Sequence, residues 1–238
     1  MKEWWVRLQG EQFDLQELPL LFSSPEVTVF EEEGEYYLKS TEFNSLADAS
    51  DVLEAGTHIL ELINGAAILH FGNFRPVQAS GSVIGIDEDG SRKGFVFVPD
   101  TLTMRARVQV SATVERANGT VESCQRPTQV ESWVALARQN KAIADALHFF
   151  CEHTWVNLYK VYEIVRDDVG GKREIIHNGW VTKQSLKRFT QTAQSRDALG
   201  DDARHASEKY KPPQKPISLS EARSLVATIL ENWIRSKQ

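Results

Sequence analysis

Residues 196–205 read Arg-Asp-Ala-Leu-Gly-Asp-Asp-Ala-Arg-His, with Lys209 and Lys211 just beyond. The stretch gathers one imidazole (His205), two guanidinium groups (Arg196, Arg204) and several carboxylates. A neutral imidazole takes up or delivers a proton near pH 7, and a guanidinium stabilises negative charge developing at phosphorus. Those are the two needs of metal-free RNA cleavage through the 2′-hydroxyl, so His205, Arg204 and Arg196 are the candidate catalytic residues. The competing reading is a salt-bridged turn before a proline-rich connector, in which acids and bases only hold a loop together. Asp201 or Asp202 would then cap a short helix bearing Arg204 and His205. Lys183, Lys187, Arg188 and Lys209 are the candidate phosphate-attracting residues.

Other chemistry is poorly supported. The chain has no Gly-rich phosphate loop, no Cys-x-x-Cys, no His-Glu-x-x-His and no Gly-x-Ser-x-Gly. His148, Cys151 and His153 offer soft metal ligands, and helical positions 148 and 151 share a face, but no fourth ligand is evident and a packed helix end explains them. Cys151 stands between Phe149, Phe150 and Glu152, the opposite of the positive surroundings a thiolate needs. The acidic runs Glu31-Glu32-Glu33 and Asp87-Glu88-Asp89 lack calcium-loop spacing and fit hairpin tips. No metal and no cofactor is expected.

The elements that must position these residues change type near residue 125. Before it, Trp4–Leu8 begins a strand, and Glu26–Phe30 with Tyr36–Lys39 forms a hairpin. Ser82–Ile86 and Gly94–Val98 flank the turn Asp87–Gly90, and Thr101–Glu115 with Thr120–Cys124 flanks Asn118-Gly119. One helix, Ala47–Asn64, packs across the sheet despite Gly56 in its middle. The aromatics Trp4, Trp5, Tyr36, Tyr37, Phe95 and Phe97 are read as core rather than as a base-stacking platform, because this half is too acidic to track phosphates.

After residue 125 the period is helical. Thr128-Gln129-Val130-Glu131 fits a capping box opening a helix that reaches Phe150, and a second helix starts after Thr154 and ends at Gly170-Gly171. A third, short and basic, spans about Thr182–Ala193. Lys211-Pro212-Pro213-Gln214-Lys215-Pro216 is a stiff connector to a last helix opened by the capping box Ser218-Leu219-Ser220-Glu221. The expected fold class is α+β: residues 1–125 a mostly antiparallel β domain with one packed helix, residues 126–238 an all-α bundle.

Charge follows the same division. Of 238 residues, the first 125 hold 9 Lys+Arg against 20 Asp+Glu, and the remainder 18 against 13. Net charges of −11 and +5 mean either that the basic half meets a polyanion or that the halves attract each other. The ordinary globular composition, 41% hydrophobic and 25% charged, excludes disorder and collagen, and two cysteines exclude a disulfide scaffold. No apolar run approaches the roughly 20 residues that span a bilayer, and the amino-terminal residues lack signal-peptide regions. A cytoplasmic protein without membrane contact is expected.

The helix order, the Ala203-Arg204-His205 element, the proline connector and the final capped helix together resemble the helical domain of the HEPN superfamily, including bacterial anti-phage defence proteins in which it follows a β-rich region. The resemblance covers roughly residues 128–238 and implies a four- or five-helix bundle that often dimerises, with RNA cleavage or nucleotide binding in a shared groove. Active members carry Arg, four to six intervening residues, then His. Counting back from His205, those Arg positions hold Ala198, Leu199 and Gly200, and counting back from His177 the most usual one holds Lys172. Only His205, and Asp201 as the polar residue of the motif, carry over. Either Arg204 or Arg196 replaces the missing Arg in space, or the domain binds without cleaving. The functional expectation is an RNA- or nucleotide-binding protein, a metal-independent ribonuclease or its inactive relative, homodimeric through its helices. The alternative is a non-enzymatic interaction or sensor module whose acidic half docks a protein partner.

Overall fold

A computed structural model describes residues 3–97, 129–204 and 210–238. The expected hairpin of residues 101–124, the start of its helical successor at Thr128, and His205 and Lys209 lie outside them. The fold is α+β, an antiparallel six-stranded sheet followed by helices.

The sheet is built from β1 (Glu3–Gln9), β2 (Ser23–Ser24), β3 (Val27–Glu32), β4 (Glu35–Lys39), β5 (Gln78–Ile86) and β6 (Arg92–Val96), in the order β2-β3-β4-β1-β5-β6. The first strand is therefore central, with Val6 opposite Leu38 on one side and Val83 on the other. Glu31 and Glu32 belong to the β3 ladder, and the turn is the pair Glu33-Gly34 alone, both left-handed at φ 54° and 82°. Two successive positive φ angles suit the right-handed twist of a tight hairpin. The β5–β6 turn turns on Gly90, at φ 83°.

Period-two alternation divides the sheet's aromatics between its faces. Trp4, Val6, Leu8, Tyr36 and Leu38 enter the hydrophobic core, with Phe95 and Phe97 packed partly buried against it. Trp5 and Tyr37 are buried as expected, but apart from the main cluster: they pack with Phe30, and Arg92 lies over the Trp5 ring.

Helix α1 (Gln12–Leu21), which the sequence periodicity did not reveal, packs on β3 with Leu15, Leu18 and Leu21 inward and Phe13 and Leu20 outward. Helix α2 (Ala49–Phe71) runs 23 residues, seven past the expected end at Asn64, and is long and apolar enough by length and composition to cross a membrane. That corrects the expectation that no segment of this kind exists. Its apolarity has a structural cause, since 67% of its most apolar window is buried, with the sheet on one side and α3 (Gln129–Gln139) and α4 (Lys141–Cys151) on the other.

Two glycines make this sandwich possible. A Cβ on Gly56 would stand 2.8 Å from Val6 Cγ2 of the central strand, and one on Gly65 would stand 2.6 Å from the Leu147 carbonyl oxygen of α4. Nine residues of helix separate them, half a turn beyond whole turns, so they serve opposite faces.

The single helix expected from Thr128 to Phe150 is two. Asn140 interrupts it as an N-cap whose side chain accepts the amides of Ala142 (3.0 Å) and Ile143 (3.3 Å). Helix α5 (Trp155–Asp168) starts where expected, with Thr154 Oγ1 accepting the Asn157 amide at 3.2 Å. A short α6 (Lys172–His177) follows, then α7 (Lys183–Gln194), the single turn α8 (Arg196–Leu199) and α9 (Leu219–Arg235). In α9 both halves of the capping box are made, Ser218 Oγ accepting the Glu221 amide at 3.2 Å and Glu221 accepting the Ser218 amide at 2.8 Å.

Candidate functional site

The arginine-rich end of the helical half is organised by α5 and α7. Aromatic residues of α5 and α7 interlock: Tyr159 stacks on Phe189 at 5.9 Å and meets Tyr162 edge-on at 5.5 Å. The Tyr159 hydroxyl accepts a 2.6 Å hydrogen bond from Gln194 Nε2. Arg204 lies on this platform. Its amide donates to the Ala193 carbonyl (2.9 Å), its guanidinium stands 4.3 Å over the Tyr159 ring, and it pairs with Glu163 at 2.8 Å. Glu163 also faces Arg166 at 3.6 Å, and Arg166 pairs with Asp167 at 2.7 Å. The result is one carboxylate between two partly exposed guanidinium groups laid over buried tyrosines, a setting whose outer guanidinium faces can receive an anion.

Arg196 has a different partner, Asp201, at 3.2 Å. Asp201 and Asp202 belong to a 3-10 turn, Gly200–Asp202, and the rest of the helix that they were expected to cap, from His205 on, lies outside the described residues. Lys211 approaches Asp197 at 3.8 Å. Arg204 and Arg196 thus each have a carboxylate partner, and the catalytic partner proposed for both, His205, lies outside the described residues.

The three cations of α7 divide by role. Arg188 holds the proline connector: its Nε donates to the Lys215 carbonyl (2.7 Å), and Nη2 to the Pro216 carbonyl (3.2 Å) and the Glu221 carboxylate (3.3 Å). Lys183 and Lys187, one turn apart and exposed, make no ion pair with a described residue. Tyr159, Glu163 and Arg166 were not singled out from sequence. Their i, i+4, i+7 spacing on α5 was a signal, masked by the apolar stripe the tyrosines also serve.

A second polar cluster lies where α2 meets α4 and α5, around a cleft of about 330 Å³. His148 Nδ1 faces Glu61 at 3.5 Å, and Lys160 caps the Phe149 ring at 4.4 Å. Burial, reinforced by Glu61 and Glu152, pushes the Cys151 thiol up to about 12, which makes it a poor nucleophile at neutral pH. His153 turns elsewhere, edge-on to Phe150 at 5.3 Å, and burial with the nearby Arg223 charge lowers its pKa. Among the described residues no group of three His, Cys, Asp or Glu is placed to hold a metal ion. The chain matches no protein-family model, no curated protein and no solved structure.

Proposed function

We propose that the helical half binds RNA or a nucleotide through its phosphates, on the exposed face of α7 and the adjoining Arg204 platform. The observation that carries this reading is that α7 contains three cations and no carboxylate, and that Lys183 and Lys187 remain exposed without an acidic partner among the described residues. Phosphate contacts of this kind act through counterion release and need no metal. A base can stack on the outer face of the Arg204 guanidinium, which covers the buried Tyr159 ring, while the lysines hold the backbone. The HEPN resemblance adds a bundle that pairs with a second copy and, with His205 as acid or base, metal-independent cleavage through the 2′-hydroxyl. The internal carboxylate partners of Arg204 and Arg196 favour binding over cleavage within this reading.

Filter binding of single-stranded RNA tests it. Lys183→Glu/Lys187→Glu should weaken retention about equally for all sequences and reduce the salt slope by about 0.7 per lysine. Unchanged retention removes α7 from the interface. RNA cleavage in the absence of metal that disappears in His205→Ala, with binding kept, assigns the nuclease; binding without cleavage in the wild type assigns a binding domain.

A further inference from the structure

The outer sheet face has a composition that recognises cations. Trp5, Phe30 and Tyr37 form a triad with ring centroids 4.9, 5.6 and 5.7 Å apart. A guanidinium already occupies it. Arg92 stands 4.7 Å over the Trp5 ring and forks onto both oxygens of Glu32, at 2.6 and 2.9 Å. Aromatic face on one side and bidentate carboxylate on the other are the two contacts that select arginine over a compact ammonium. Lys39 repeats the theme at the edge, 5.5 Å from the Phe30 centroid and 3.5 Å from Glu3.

The Arg92 side chain is held on this face by Trp5 and Glu32. The residue begins the outermost described strand, follows the Asp87–Gly90 turn, and leaves 48% of its side chain exposed. Trp5, by contrast, is only 7% exposed, so the ring is covered by what lies over it. Rotation of the Arg92 side chain away would uncover aromatic surface and leave Glu32 without its fork, an arrangement that an incoming arginine restores contact for contact.

We propose that this face docks an arginine-bearing segment of a protein partner, with Arg92 as the internal stand-in that the incoming guanidinium displaces. The charge of the surrounding chain fits that occupant: residues 1–125 carry a net −11, and the exposed Glu33 at the hairpin turn stands near Arg92 beside Glu32. The same charge repels RNA, so this surface is separate from the α7 face and its assignment does not depend on the phosphate-binding reading. Electrostatic complementarity speeds encounter, while the aromatic–carboxylate slot supplies selectivity.

The test is a nuclear magnetic resonance titration of the full chain that follows the Trp5 indole N–H, identified by its loss in Trp5→Phe. The probe is a glycine–serine octapeptide bearing one arginine, compared with the same peptide bearing neutral citrulline. The arginine peptide should shift the Trp5 signal and the citrulline peptide should not. Removing the internal competitor in Arg92→Ala should lower the half-saturation concentration about tenfold, as freeing a site that is only about one-tenth available does. Adding Glu32→Gln to Arg92→Ala should abolish the shift. No shift in either background, equal shifts from both peptides, or unchanged half-saturation in Arg92→Ala would overturn the proposal. A Trp5 shift that depends on protein concentration without peptide would also overturn it, assigning the face to a second copy of the chain.

Discussion

At the residue scale, the arginines placed nearest the candidate chemistry differ in what they hold. Arg204 and Glu163 expose 31% and 25% of their side chains and Arg204 lies over the Tyr159 ring, whereas the Asp201 partner of Arg196 is 95% exposed. Ion pairs in water contribute little, and charge-assisted bonds shielded by neighbours contribute more. Arg204→Ala should therefore lower stability in urea by about 1 kcal/mol, and Arg196→Ala should leave the midpoint unchanged; equal losses would contradict the packing described for Arg204. His153 provides a pH test. Its folded pKa lies below the ordinary value, so as pH falls through about 6.5 the unfolded imidazole gains a proton that the folded one resists. Stability should drop between pH 8 and pH 5.5, and His153→Gln should flatten that part of the profile. An identical slope in the variant would show that other groups set it.

At the element scale, α2 explains most of what periodicity missed. An amphipathic pattern has one apolar face, but α2 is buried on two sides, so its carboxy-terminal half reads as a featureless apolar run and its end at Phe71 is invisible to a moment-based reading. Gly56, which interrupts the expected helix, and Gly65, just past its expected end, are spacers. In an open helix Gly→Ala gains about 1 kcal/mol, but Gly65→Ala drives a methyl into the Leu147 backbone and should instead destabilise by about 1–3 kcal/mol in chemical denaturation. A stabilised Gly65→Ala would mean that α2 and α4 are not in close contact. The apolar stripe running through Asn140 argued for one continuous helix, and only its side-chain bonds to Ala142 and Ile143 establish two. Arg188 bears on the choice of variants, because it secures Lys215, Pro216 and Glu221 around the connector. Arg188→Glu should lower the unfolding midpoint while Lys183→Glu does not, so the lysines are the clean probe of phosphate binding.

At the scale of the whole molecule, the opposite charges of the two halves meet inside the chain as well as facing outward. Arg138 pairs with Glu42 at 2.7 Å and donates to the Glu26 carbonyl at 3.3 Å, Glu131 accepts the Ser24 amide at 3.2 Å, and Arg223 donates to the Gly72 carbonyl. Beneath these contacts, buried side chains from the sheet, α2 and the later helices form one hydrophobic cluster. Shared burial couples unfolding, so tryptophan fluorescence and far-ultraviolet circular dichroism should report a single coincident transition; two separated midpoints would show that the halves melt independently. Legible in the sequence were the α+β class, the β3–β4 and β5–β6 hairpins, the starts of α5, α7 and α9 and the cations of α7, because these depend on period, turn chemistry and capping within a few residues of one another. Tertiary structure alone decided that α2 is enclosed on both sides, that Arg204 rests on Tyr159 against Glu163, and that Arg92 reaches Glu32 across Trp5. Each of those joins residues far apart in the chain, where burial and charge pairing depend on which surfaces the fold brings together.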